Sequence, residues 1–143
     1  MIAELLFVVA LQGQVVVQGG PPPAPVPKNA PATLPDAPQA KRVKAYVDAF
    51  NTRDEAAFLK MQEEHFAPDT LQKRPAAERA KMYARLRGDF GSMKILRVAA
   101  SAEQIRVIIP DKDGNEAIFS FDFDAKAPYK IKGMGIDIGN VER

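Results

Sequence analysis

At Gly91 the hydrophobic period of this chain changes, and the change limits what the chain can fold into. Before Gly91, apolar residues recur at steps of three and four. After it, they recur at every second residue. A period near 3.6 marks a helix with one buried face, and a period of two marks a half-buried strand. Helices therefore come first and strands last. A chain ordered this way segregates its helices onto one face of an antiparallel sheet, an α+β design.

In the first half, Val43, Tyr46, Val47 and Phe50 share a face and predict a helix over residues 38–50. Asn51 or Thr52 stops it. Thr52 or Asp54 caps the next helix, and Glu55 favours its positive end. That second helix, over residues 54–64, buries Ala57, Phe58 and Met61. Pro68 starts a short helical turn through residue 71. Pro75 reads as the first position of a third helix, where its missing N–H costs nothing. This helix runs to residue 90, with Arg79, Met82, Tyr83, Leu86 and Phe90 on one stripe, and Gly91 ends it.

The second half predicts four strands. Residues 93–100 place Ile95 or Leu96 and Val98 inward. Ile105, Val107 and Ile109 alternate next. Pro110 through Asn115 is a turn. Residues 118–124 put Phe119, Phe121 and Phe123 on one face, and Ser120, Asp122 and Asp124 on the solvent face. The last strand, residues 129–138, carries Gly133 and Gly135, which mark a bulge or bend. Connections this short require antiparallel pairing. The expected fold is three helices packed on a curved four-stranded meander.

The length of 143 residues suits one domain. Net charge is +2 with no dense Lys/Arg run, so nucleic acid is not an implied partner. The absence of Cys excludes disulfides, thiolate metal sites and a Cys nucleophile. Residues 1–19 read as an export leader, because residues 5–11 form an apolar run. An uncleaved anchor over residues 1–18 and an ordinary N-terminus are the alternatives. The expected destination is the periplasm or the cell exterior. Residues 20–37, rich in Pro and Ala, read as an extended spacer that builds no core. The folded domain is expected over residues 38–140.

The order Tyr46-Val47-Asp48-Ala49-Phe50-Asn51-x-x-Asp54, followed by an apolar helix and a meander, resembles the nuclear-transport-factor-2-like superfamily, which includes ketosteroid isomerases. The runs E-E-H-F-A-P-D (63–69), P-A-A-E-R (75–79) and Y-A-R-L-R-G-D-F-G (83–91) are similar to accessory domains of exported bacterial proteins. The resemblance implies helices wrapped on a cone-shaped sheet with a pocket at its open end. It also implies dimerisation through the sheet, as family members commonly show. It implies no single activity, because the scaffold hosts unrelated ones.

In the isomerase-like members a Tyr at the place of Tyr46 donates to a developing oxyanion. That chemistry also needs a carboxylate base. Asp69 is a poor stand-in, and Asp122 and Asp124 are read as facing solvent, so no catalytic set is assigned. Tyr46 is otherwise a core residue or a ligand contact. His65, the one histidine, is read as packing or capping the second helix. With no Cys and a single His, no metal site is expected. Asp111 to Glu116 lacks a calcium-loop register and reads as a hairpin. Lys73, Arg74, Arg79, Arg85 and Arg87 read as a solvated basic face. The leading expectation is a non-enzymatic domain without a cofactor. It would bind a small apolar or amphipathic ligand, or a protein partner. The ligand-pocket residues are Tyr46, Phe50, Tyr83, Phe119, Phe121 and Met134. A small isomerase- or hydrolase-like enzyme using Tyr46, and a dimerising accessory module of a hydrolase, are the alternatives.

Overall fold

A computed structural model describes residues 25–138 and the two-residue strand β1 (Gln14–Val15). Of the expected leader only β1 falls within the described residues; the rest lies outside them. Helix α1 (Pro38–Asn51) starts with Pro at its first turn and buries Val43, Tyr46, Val47 and Phe50, as its period requires. Arg53 turns the chain in the left-handed region (φ 64°). Asp54 then caps α2 (Glu55–His65), its carboxylate accepting from the amides of Ala56 and Ala57 at 3.0 and 3.3 Å. The short α3 (Pro68–Lys73) extends two residues beyond the expected turn. Pro75 is the N-cap of α4 (Ala76–Phe90) rather than its first residue. Gly91 ends α4 at φ 71°, a backbone region that favours Gly.

Strands β2 (Arg97–Ala100), β3 (Gln104–Pro110), β4 (Glu116–Phe123) and β5 (Ile131–Ile138) form an antiparallel meander. Strand β1 adds to its far edge, with Gln14 opposite Asp137, giving the order β1-β5-β4-β3-β2. The helices pack on one face. A bulge falls at Lys132, beside Gly133: Asp122 pairs with Gly133 and Phe123 with Ile131. At the hairpin tip the Asp111 carboxylate accepts from the amides of Asp113 and Asn115, both at 2.9 Å. Local backbone groups therefore occupy the acid that a calcium loop would have used.

The first strand of the meander is shorter than expected. It begins at Arg97, not at Met93, and Asn51 is the reason. The Asn51 amide donates to the Met93 carbonyl at 2.9 Å and accepts from the Met93 N–H at 2.7 Å. Both backbone groups of Met93 are thereby taken from the ladder and tied to the end of α1. Replacing Asn51 by Ala leaves them without this partner. A loss of about 1–3 kcal/mol in denaturant unfolding is expected. A loss below about 0.5 kcal/mol would mean that water replaces the clamp.

The outer face of the sheet also departs from expectation. Phe119, Phe121 and Phe123 face the core, but Ile118 and Ser120 on the opposite face are buried too. The cover over Ile118 is the Pro-rich segment, where the sequence predicts only a spacer. Val26 is fully buried in a small cluster with Ile108 and Ile118, flanked by Ala30, Leu96 and Ala99. The Pro31 carbonyl accepts from the Val98 N–H at 2.7 Å, and the Pro25 carbonyl accepts from Arg106 at 2.9 Å. These contacts make residues 25–31 a strap over the β2 edge.

Candidate functional site

A cavity of about 470 Å³ lies between the helices and β5. Small-molecule sites fall in this size range. Tyr46 of α1 and Phe66, just after α2, form part of its wall. Met82 and Leu86 of α4, with Met134 and Ile136 of β5, supply the apolar remainder. Its polar groups are Gln62, Thr70, Lys73, Arg74, Glu78 and Arg79. Lys73 and Glu78 are exposed, whereas Gln62 and Arg79 are buried.

Tyr46 is held by rings. Phe58 and Phe121 meet it edge-on at 5.1 and 5.2 Å between centroids, and Phe66 stacks on it at 6.4 Å. Burial pushes its phenol well above the ordinary value, so the group is a neutral donor at any physiological pH. No hydrogen bond ties its hydroxyl to another of the described residues. The Tyr83 hydroxyl differs: it accepts from Arg87 at 3.3 Å, and the Arg87 guanidinium also lies over the Tyr83 ring.

Of the pocket residues expected from sequence, Tyr46 and Met134 line the cavity. Phe50, Tyr83, Phe119 and Phe121 lie in the core instead. Phe50 and Tyr83 contact each other and Phe58, and Phe119 contacts Phe90. All are apolar residues on correct faces, but the cavity opens on the α4 and β5 side of that cluster.

The sequence places Arg79 on a solvated basic face, and the structure corrects this: it is 8% exposed. Its Nε donates to the Arg74 carbonyl at 2.8 Å, and one Nη donates to Gln62 Oε1 at 3.3 Å. The signal was present in the stripe itself, where Arg79 takes the place of an apolar residue one turn before Met82 and Tyr83.

The carboxylates weighed from the sequence are elsewhere, and Glu78 is the one carboxylate among the residues that line the cavity. Asp69, Asp122 and Asp124 line a separate hollow of about 390 Å³, which shares Thr70 and Lys73 with the cavity. Asp122 accepts from the Gln104 amide at 2.8 Å. Asp137 is buried, but it alternates with Ile136 along β5 and so belongs to the opposite face. His65 closes α2, with its Nδ1 accepting from Arg42 at 3.0 Å, while Arg42 also donates to the Pro128 carbonyl at 2.7 Å. Burial and the adjacent Arg42 cation hold the His65 pKa below its usual value, so the ring is neutral near pH 7. Among the described residues no three His, Cys, Asp or Glu side chains cluster as metal ligands.

Helices over one face of an antiparallel meander, with a cavity between the layers, define a nuclear-transport-factor-2-like fold. A crystal structure of a SnoaL-like protein of unknown function from Burkholderia thailandensis shares it. The TM-score is 0.50 at 16% identity, over 76% of this chain and 100% of that one. That likeness concerns the fold alone. No protein-family model matches the sequence, and no curated protein matches it.

Proposed function

We propose that this chain is an exported, non-enzymatic domain that binds a small amphipathic molecule in the cavity beside Tyr46. The observation that carries the reading is the cavity wall. It joins an apolar surface to a neutral phenol whose hydroxyl no described residue hydrogen-bonds. Among the described residues no carboxylate hydrogen-bonds Tyr46, and the one carboxylate of the lining, Glu78, is exposed, whereas an isomerase-like mechanism needs a base near the reacting carbon. The apolar run of residues 5–11 supports export.

Native mass spectrometry of the protein, produced with its own leader, tests binding. A bound mass of a few hundred daltons is expected. A bare chain after gentle isolation from its own host would count against the reading. Once a ligand is in hand, Tyr46→Phe should weaken it by about 0.5–1.5 kcal/mol, roughly twofold to twelvefold. Fold stability should change little. Equal affinity in titration calorimetry would remove Tyr46 from the site.

A further inference from the structure

The cavity holds a buried cation that forms no ion pair with any of the described residues. Arg79 is buried, and its protein partners are a backbone carbonyl and an amide oxygen, both neutral. A guanidinium carries five N–H donors, and these two bonds use two of them. Among the described residues no carboxylate lies within ion-pair distance of it. Burying a charge without a partner is costly, and proteins normally pair such a group. Here the remaining donors belong to a residue that lines a cavity.

We infer that Arg79 anchors the carboxylate of an amphipathic monoacid. The inference rests on the ligand-binding reading above and adds the chemical class. The polar lining is rich in donors: Lys73, Arg74 and Arg79 are cations against the single carboxylate of Glu78, Tyr46 is a neutral phenol, and Gln62 spends its carbonyl on Arg79 and keeps its amide N–H groups. Donors that line one cavity favour an acceptor. The planar guanidinium fork matches a carboxylate with two parallel bonds. Of the three cations that line the cavity, Lys73, Arg74 and Arg79, only Arg79 is buried, and one negative charge neutralises it. The apolar body of the ligand rests on Phe66, Met82, Leu86 and Met134.

Matched acids and amides test this on the full chain. Decanoate and 1-naphthaleneacetate are compared by calorimetry at pH 7 with decanamide and 1-naphthaleneacetamide. At least one acid should bind about tenfold or more tighter than its amide. Arg79→Gln should abolish that preference while amide affinity stays within about threefold, and Arg79→Lys should keep part of it. Equal binding of acid and amide by the unaltered protein overturns the Arg79 anchor and leaves the cavity reading standing. Acid preference surviving in Arg79→Gln also overturns it. No binding of any of the four at millimolar concentration overturns both. The comparison within the unaltered protein needs no variant to fold.

Discussion

Replacing Phe58 by Ala should cost about 3–5 kcal/mol of stability and weaken ligand binding, although Phe58 does not line the cavity. Phe58 is 1% exposed and sits at the centre of the aromatic cluster. Its ring meets Tyr46 at 5.1 Å, Phe50 at 5.9 Å and Tyr83 at 4.8 Å. Removing it loses the transfer free energy of a phenyl group, several favourable ring contacts, and the contacts around the void that remains. A domain of this size is stable by only about 5–15 kcal/mol, so the variant should unfold at much lower denaturant. The void also offers Tyr46 somewhere to go. If its ring falls back, the hydroxyl leaves the cavity wall and affinity drops with stability. Urea unfolding measures the first effect. Titration on the residual folded protein measures the second. A cost under about 1.5 kcal/mol would mean that α1 and α2 close over the gap.

The layers were legible because periodicity is a local property. The stripes of α1 and α4 and the three inward Phe of β4 can each be read within a dozen residues. What the sequence concealed were contacts between distant residues. Asn51 ends a helix, and nothing near it in sequence indicates that its amide will occupy the backbone of Met93. Phe121 and Met134 look alike as apolar strand residues. Only the packed structure makes one a core ring and the other a wall of the cavity. For Arg79 the sequence indicates the right stripe and the wrong environment. A charged residue on an apolar stripe is ordinarily expected to snorkel to water. Its burial depends on acceptors from Arg74 and from Gln62 on another helix.

The Pro-rich segment is the largest departure, and it leads to the second strong prediction. Eight prolines between residues 21 and 38 remove donors and fix φ, which argues against regular structure. The same stiffness lowers the entropy lost when the segment docks, because the free chain has fewer conformations to give up. A proline also keeps its carbonyl. The strap uses this by accepting from the Val98 N–H on the β2 edge, covering part of a row of backbone groups that would otherwise invite another strand. Its one deeply buried side chain is Val26. Val26→Asp would set a carboxylate against Ile108 and Ile118, and release of the strap is the cheaper outcome. The cost is capped at the docking free energy, about 2–3 kcal/mol from one buried Val, the re-exposed Ile side chains and two hydrogen bonds, less the entropy regained. Hydrogen exchange reads this locally. The Val98 amide should lose protection by about tenfold or more, while the Phe119 and Phe121 amides in the central strand fall only by the global loss. Unchanged protection at Val98 would mean that the strap is held without Val26, by its backbone contacts alone.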